Sequence, residues 1–138
     1  MRNKLKLLVV LQCAYGTTLK LRRQLGKESL WLRALWMSHT GRVLKTMIPN
    51  YCVTRIINSS NYIGEVSKAC FPPNITYIQE KIKEINPDVI LACGKVAQKG
   101  LREIGVPFIE APHPAWRSLT KEQRQRVRDE LERRVRCV

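Results

Sequence analysis

Four short runs of mostly apolar, β-favouring residues punctuate the chain, at positions 7–11, 51–57, 89–92 and 106–111. Near-continuous apolar runs of this length are the mark of strands covered on both faces. Helical patterns lie between and after them. Ile75, Ile78, Ile82 and Ile85 recur at three- and four-residue spacing and form one amphipathic helix that ends before Asn86-Pro87. Val96, Ala97, Gly100, Leu101 and Ile104 form a second, closed by Gly105. A third starts at Thr120, with Gln123 three residues on in a capping-box pattern, and carries Val127, Leu131 and Val135 as its apolar stripe. Strands alternating with helices predict an α/β fold: three layers, α/β/α, around a short four-stranded parallel sheet. With 138 residues, 44% of them hydrophobic, the chain is long enough for one core and is read as a single domain, 1–138.

In such a sheet, ligands sit beyond the carboxyl ends of the strands. The residues there are polar or loop-forming: 12–16 after the first strand, 58–61 after the second, Gly94-Lys95 after the third, and Pro112-His113-Pro114-Ala115-Trp116-Arg117 after the fourth. His113 stands between two prolines, and each ring fixes its own φ and restricts the residue before it. A histidine on a stiff loop at a strand end suits chemistry better than packing.

The charge balance is lopsided, with 25 Lys+Arg against 11 Asp+Glu and a formal net charge of +14. That excess points to a polyanion, nucleic acid before an anionic membrane surface. Three basic clusters stand out: Lys20, Arg22 and Arg23; Lys81, Lys83, Lys95 and Lys99; and the arginines from Arg117 to Arg136. No apolar run reaches 18 residues, so no membrane span is expected. The apolar run after Lys4 reads as a strand rather than a signal segment, which places the protein in the cytoplasm. Five cysteines, at 13, 52, 70, 93 and 137, are widely spaced with no CxxC pair, as expected of reduced thiols. Two histidines and no clustered acids predict no metal site, and no cofactor is expected.

In order along the chain, these motifs resemble the uracil-DNA glycosylase superfamily, most closely its compact microbial branches. The stretch 85–97, INPDVILACGKVA, is similar to that family's third strand and following helix. Pro112-His113-Pro114 resembles its second catalytic motif, and Gln12-Cys13-Ala14-Tyr15-Gly16 sits where its first motif sits. Gly41-Arg42-Val43-Leu44 is similar to a helix start that follows the base-stacking aromatic. The resemblance implies an enzyme that flips a base out of DNA and cleaves its N-glycosidic bond, with His113 as the catalytic residue. It further implies that Gln12, Cys13, Ala14, Tyr15, Gly16, Trp36, Arg55 and Asn58 line the base pocket. Lys20, Arg22, Arg23, Lys95, Trp116 and Arg117 would grip DNA, single- or double-stranded. The expected oligomeric state is a monomer.

The chain departs from the family pattern at three points. Cys13 and Ala14 stand where a polar, water-orienting residue is usual, and no carboxylate occurs from 12 to 24. The nearest alternatives are Glu28 and Glu110, the latter read as a solvated edge charge. Arg55 stands where an asparagine usually reads the uracil edge, and arginine only donates hydrogen bonds. Cys70 alone matches the cysteines of the iron–sulfur branch, so no cluster is expected. These departures keep two other readings open. One is a non-catalytic DNA-binding protein on the same fold. The other is thiol chemistry, with Cys13 as nucleophile and His113 as base.

Overall fold

The computed structural model describes residues 5–11, 14–15, 39–58, 63–64, 73–113 and 119–136. Among them, β1 (Leu5–Leu11), β3 (Cys52–Asn58), β5 (Val89–Cys93) and β6 (Ile109–Ala111) form a four-stranded sheet in the order β3-β1-β5-β6. All three pairings are parallel. Two-residue strands β2 (Ala14–Tyr15) and β4 (Ile63–Gly64) pair with each other in a second, parallel sheet. The helices are α1 (His39–Met47), α2 (Ile75–Ile85), α3 (Lys95–Ile104) and α4 (Lys121–Arg136). None is long and apolar enough to cross a membrane.

The period of two along β1 divides the core. Leu5, Leu7, Val9 and Leu11 point to one face, where they meet Val43, Leu44 and Met47 of α1 and Val127 and Leu131 of α4. Leu8 and Val10 point to the other, where they meet Ile78 and Ile85 of α2 and Ala97 and Leu101 of α3. The three-layer α/β/α sandwich expected from the apolar runs is what the chain builds.

Local chemistry fixes the element ends. Asn74 caps α2 by accepting a hydrogen bond from the Tyr77 amide at 3.1 Å, and Asn86 closes it in the left-handed region. At α4 the capping box forms as read: Gln123 N donates to Thr120 Oγ1 at 3.1 Å and Thr120 N donates to Gln123 Oε1 at 2.8 Å. The fourth strand is shorter than its apolar run. Pro107 has no N–H to give a ladder, so pairing starts at Ile109 rather than Val106.

The order also sets the polarity. Each helix follows a strand's carboxyl end or leads back to a strand's amino end. The helix N-termini therefore share one rim with the C-termini of the strands. The chain crosses from β1 to β3 over one face and from β3 to β5 over the other. The strand order reverses between β1 and β5, and the carboxyl end of that switch point is where an open α/β sheet binds ligands.

Candidate active site at the carboxyl rim

His113 reaches the rim two residues after β6 ends at Ala111 and is half-buried there. Gly94, directly after β5, donates its N–H to the Ala111 carbonyl at 2.9 Å, which ties the two strand ends together. The backbone of Gly94 has φ 90° and ψ 168°, a combination open only to glycine. A Cβ at Gly94 would lie 3.5 Å from His113 Cβ and 3.6 Å from Cδ2. The imidazole thus rests on the start of α3, against bare backbone.

Burial strips water from the ring and lowers the His113 pKa below its ordinary value. Burial thus favours the neutral imidazole. The described thiols are the opposite of activated. Burial pushes Cys93 up to about 12 and also raises Cys52, where Arg128 partly offsets it. Among the described residues, no three of His, Cys, Asp and Glu converge as a metal site would require.

The other expected site residues divide into three groups. Asn58 ends β3 in register with Leu11, on the same rim as His113, and Lys95 opens α3 there, exposed. Ala14 and Tyr15 form β2, just past the end of β1. Arg55 is set apart. It pairs in register with Leu8, three residues before Asn58, and is exposed. At about 3.3 Å per residue, it starts roughly 10 Å below the rim. Gln12, Cys13, Gly16, Lys20, Arg22, Arg23, Trp36, Trp116 and Arg117 lie outside the described residues. So do Glu28 and Cys70. Glu110 is an exposed edge charge, as read, paired with Arg102 at 2.5 Å.

The C-terminal basic cluster does not act as one body. Arg128 pairs with Glu132, and Arg133 and Arg134 pair with Glu130, all within α4. Among the described residues, Arg42, Lys95, Lys99, Lys121 and Arg126 make no ion pair, and all lie in the rim-side halves of α1, α3 and α4. Glu122 is the only carboxylate in those half-helices. Arg124 lies among them, with a buried Nε that has no partner. Unpaired cations among the described residues thus occur in the rim-side halves of three helices, and also at Lys6, Arg55 and Lys83 away from the rim.

Two residues of the site escaped the sequence reading in their roles. Gly94 was placed at the rim but not beneath the histidine; a glycine at a strand-to-helix turn is the available signal. Gln98 carries a signal too: it is a polar residue beside the inward row of Ala97 and Leu101.

A search of curated proteins and one of solved structures found no match. The family model described as the uracil DNA glycosylase superfamily matches residues 16–136, most of the described fold and all of the His113 loop. By that match, and with the three-layer sheet and rim it requires in place, the chain belongs to the uracil DNA glycosylase superfamily, whose general activity is glycosylase-like and directed at DNA.

Proposed function

We propose that this protein is a DNA glycosylase that flips uracil or a related modified base from the strand and cleaves its N-glycosidic bond. The observation that carries the reading is a half-buried His113 beside Gly94 at the carboxyl rim of a uracil DNA glycosylase superfamily fold. Breaking the bond sends its electron pair out with the base and leaves positive charge on the sugar. Negative charge then grows on a base carbonyl oxygen. A neutral imidazole N–H held at the rim stabilises that oxygen without reorganising, the condition under which electrostatic catalysis is strongest. Water then adds to the sugar carbon, and its proton is released. The unpaired cations supply phosphate contacts, and base flipping brings the bond to the site.

A second reading is carried by Cys13 and Ala14, which offer no carboxylate or amide to orient that water. On it, the protein binds DNA and cleaves nothing. The test uses labelled single- and double-stranded oligonucleotides carrying uracil, hypoxanthine, xanthine or hydroxymethyluracil. The glycosylase reading expects alkali-labile abasic sites on at least one, reduced about 10²–10³-fold in His113→Ala with DNA binding retained. Base release unchanged in that variant overturns the role of His113. Shifted but uncut DNA across the panel selects the binding protein.

A further inference from the structure

The side chain of Gln98, on the second turn of α3, reaches back across the ends of two strands. Its Nε2 donates to the Ala111 carbonyl at 3.1 Å and to the Ala92 carbonyl at 3.4 Å. Ala92 lies one residue before the end of β5, and Ala111 is the last residue of β6. The Ala111 carbonyl accepts from Gly94 N as well. Gln98 N in turn donates to the Gly94 carbonyl at 3.1 Å, so the same residue holds the turn on which the histidine rests. The β5–β6 ladder runs only from Leu91↔Ile109 to Cys93↔Ala111. A three-residue edge strand has little pairing of its own to fix where its end points. Gln98 adds a cross-strand tie where the chain leaves the sheet for His113.

We propose that Gln98 is a positioning residue for His113: its amide staples the end of β6 to β5 and so sets where the Pro112-His113 loop leaves the rim. Gln98 is two residues of chain away from the imidazole by way of Ala111 and does not itself meet the base. The inference rests on the glycosylase reading for what His113 does, but not for where it is held.

Two properties follow that core packing alone would not give. Only a side chain that donates at this length can make both bonds. Removing the donors also loosens one loop rather than the hydrophobic layers, since Leu101, Ala97 and Ile78 keep their contacts. Gln98→Met keeps length and volume and removes both donors. With two histidines in the chain, the His113 imidazole signal is assigned by its loss in His113→Ala, and its titration is followed by NMR. In Gln98→Met, water reaches the ring, and the His113 pKa rises toward its ordinary value. On any oligonucleotide the wild type cleaves, kcat falls about 10–100-fold while KM changes less than about twofold, because the phosphate-binding cations are untouched. Should Gln98→Met not fold, Gln98→Asn, one methylene too short to make both bonds, carries the same test with smaller shifts in the same direction. A folded variant with unchanged His113 titration and unchanged kcat overturns the proposal. If the wild type cleaves no substrate, the titration decides alone: a shifted His113 sustains the staple while the glycosylase reading fails.

Discussion

Gly94→Ala separates backbone strain from steric clash at the site. A Cβ there meets His113 Cβ, Cδ2 and Cγ at 3.5, 3.6 and 3.9 Å, which is ordinary contact, so crowding alone does not forbid it. The φ of 90° with ψ of 168° does, since alanine in that region costs about 1–3 kcal/mol. At roughly 2.1 cal/mol/K of unfolding entropy per residue, 138 residues give ~0.3 kcal/mol per degree, so Tm falls by about 3–10 °C. Strain relief requires φ to turn negative. That turn swings the Gly94 N–H off the Ala111 carbonyl and moves the surface under the imidazole. Gly105→Ala is the matched control. Its φ of 83° and ψ of 24° cost alanine about 1–2 kcal/mol, with nothing within 4 Å of the new methyl. Thermal melts and single-turnover base release on both variants make the comparison. Both lose stability, but only Gly94→Ala loses more than about tenfold in rate, as a displaced catalytic group does. Equal rates in the two variants would refute the claim that Gly94 seats the histidine.

Two further outcomes follow from charge. The folded His113 pKa is depressed below its unfolded value of about 6.5, so the group's contribution to stability is intact above pH 6.5 and is lost as pH falls from there through the folded value. Thermal melts from pH 8 to 5 therefore show the wild type losing more stability on acidification than His113→Gln, whose position 113 does not titrate; parallel curves would contradict a buried neutral imidazole. For the rim cations, Lys95→Gln combined with Lys99→Gln lowers the slope of log K against log salt for a DNA oligonucleotide by up to about 1.8, whereas Arg133→Gln, paired with Glu130 far from the rim, leaves it unchanged; fluorescence anisotropy at several salt concentrations distinguishes them.

The layers were legible because they depend on periodicity that a single chain displays. Leu8 and Val10 against Leu7 and Val9, or Ile78 and Ile85 along α2, announce their faces by spacing alone. The caps were legible because Thr120 and Gln123 need only each other. What spacing does not carry is a conformation or a contact between distant turns. The two-residue pairing of β2 with β4 is too short to have a period. Pro107 trims β6, although the apolar run continues through it. The division of the arginines of α4 into paired and unpaired sets depends on which Glu faces which Arg, and the composition of the helix is silent on it. The Gly94 seat and the Gln98 staple join residues through carbonyls of Ala92 and Ala111, which no side-chain pattern marks. Arg55 is placed in the pocket by the motif match, and its register with Leu8 sets its backbone below the rim.

The placement of charge argues for a polyanion independently of the family match. A helix N-terminus carries partial positive charge and is stabilised by nearby acids and destabilised by nearby cations, by about 0.3–1 kcal/mol each when weakly screened. Here α1, α2 and α3 have no acid in their first turns, and Lys95 and Lys121 occupy the first positions of α3 and α4. Selection for stability alone would favour the opposite arrangement. Further along α4 the chain pairs Arg128, Arg133 and Arg134 with glutamates. The cations that open α3 and α4 stand on the rim where the strands end. A phosphate backbone laid across that rim would relieve the repulsion at both helix ends at once.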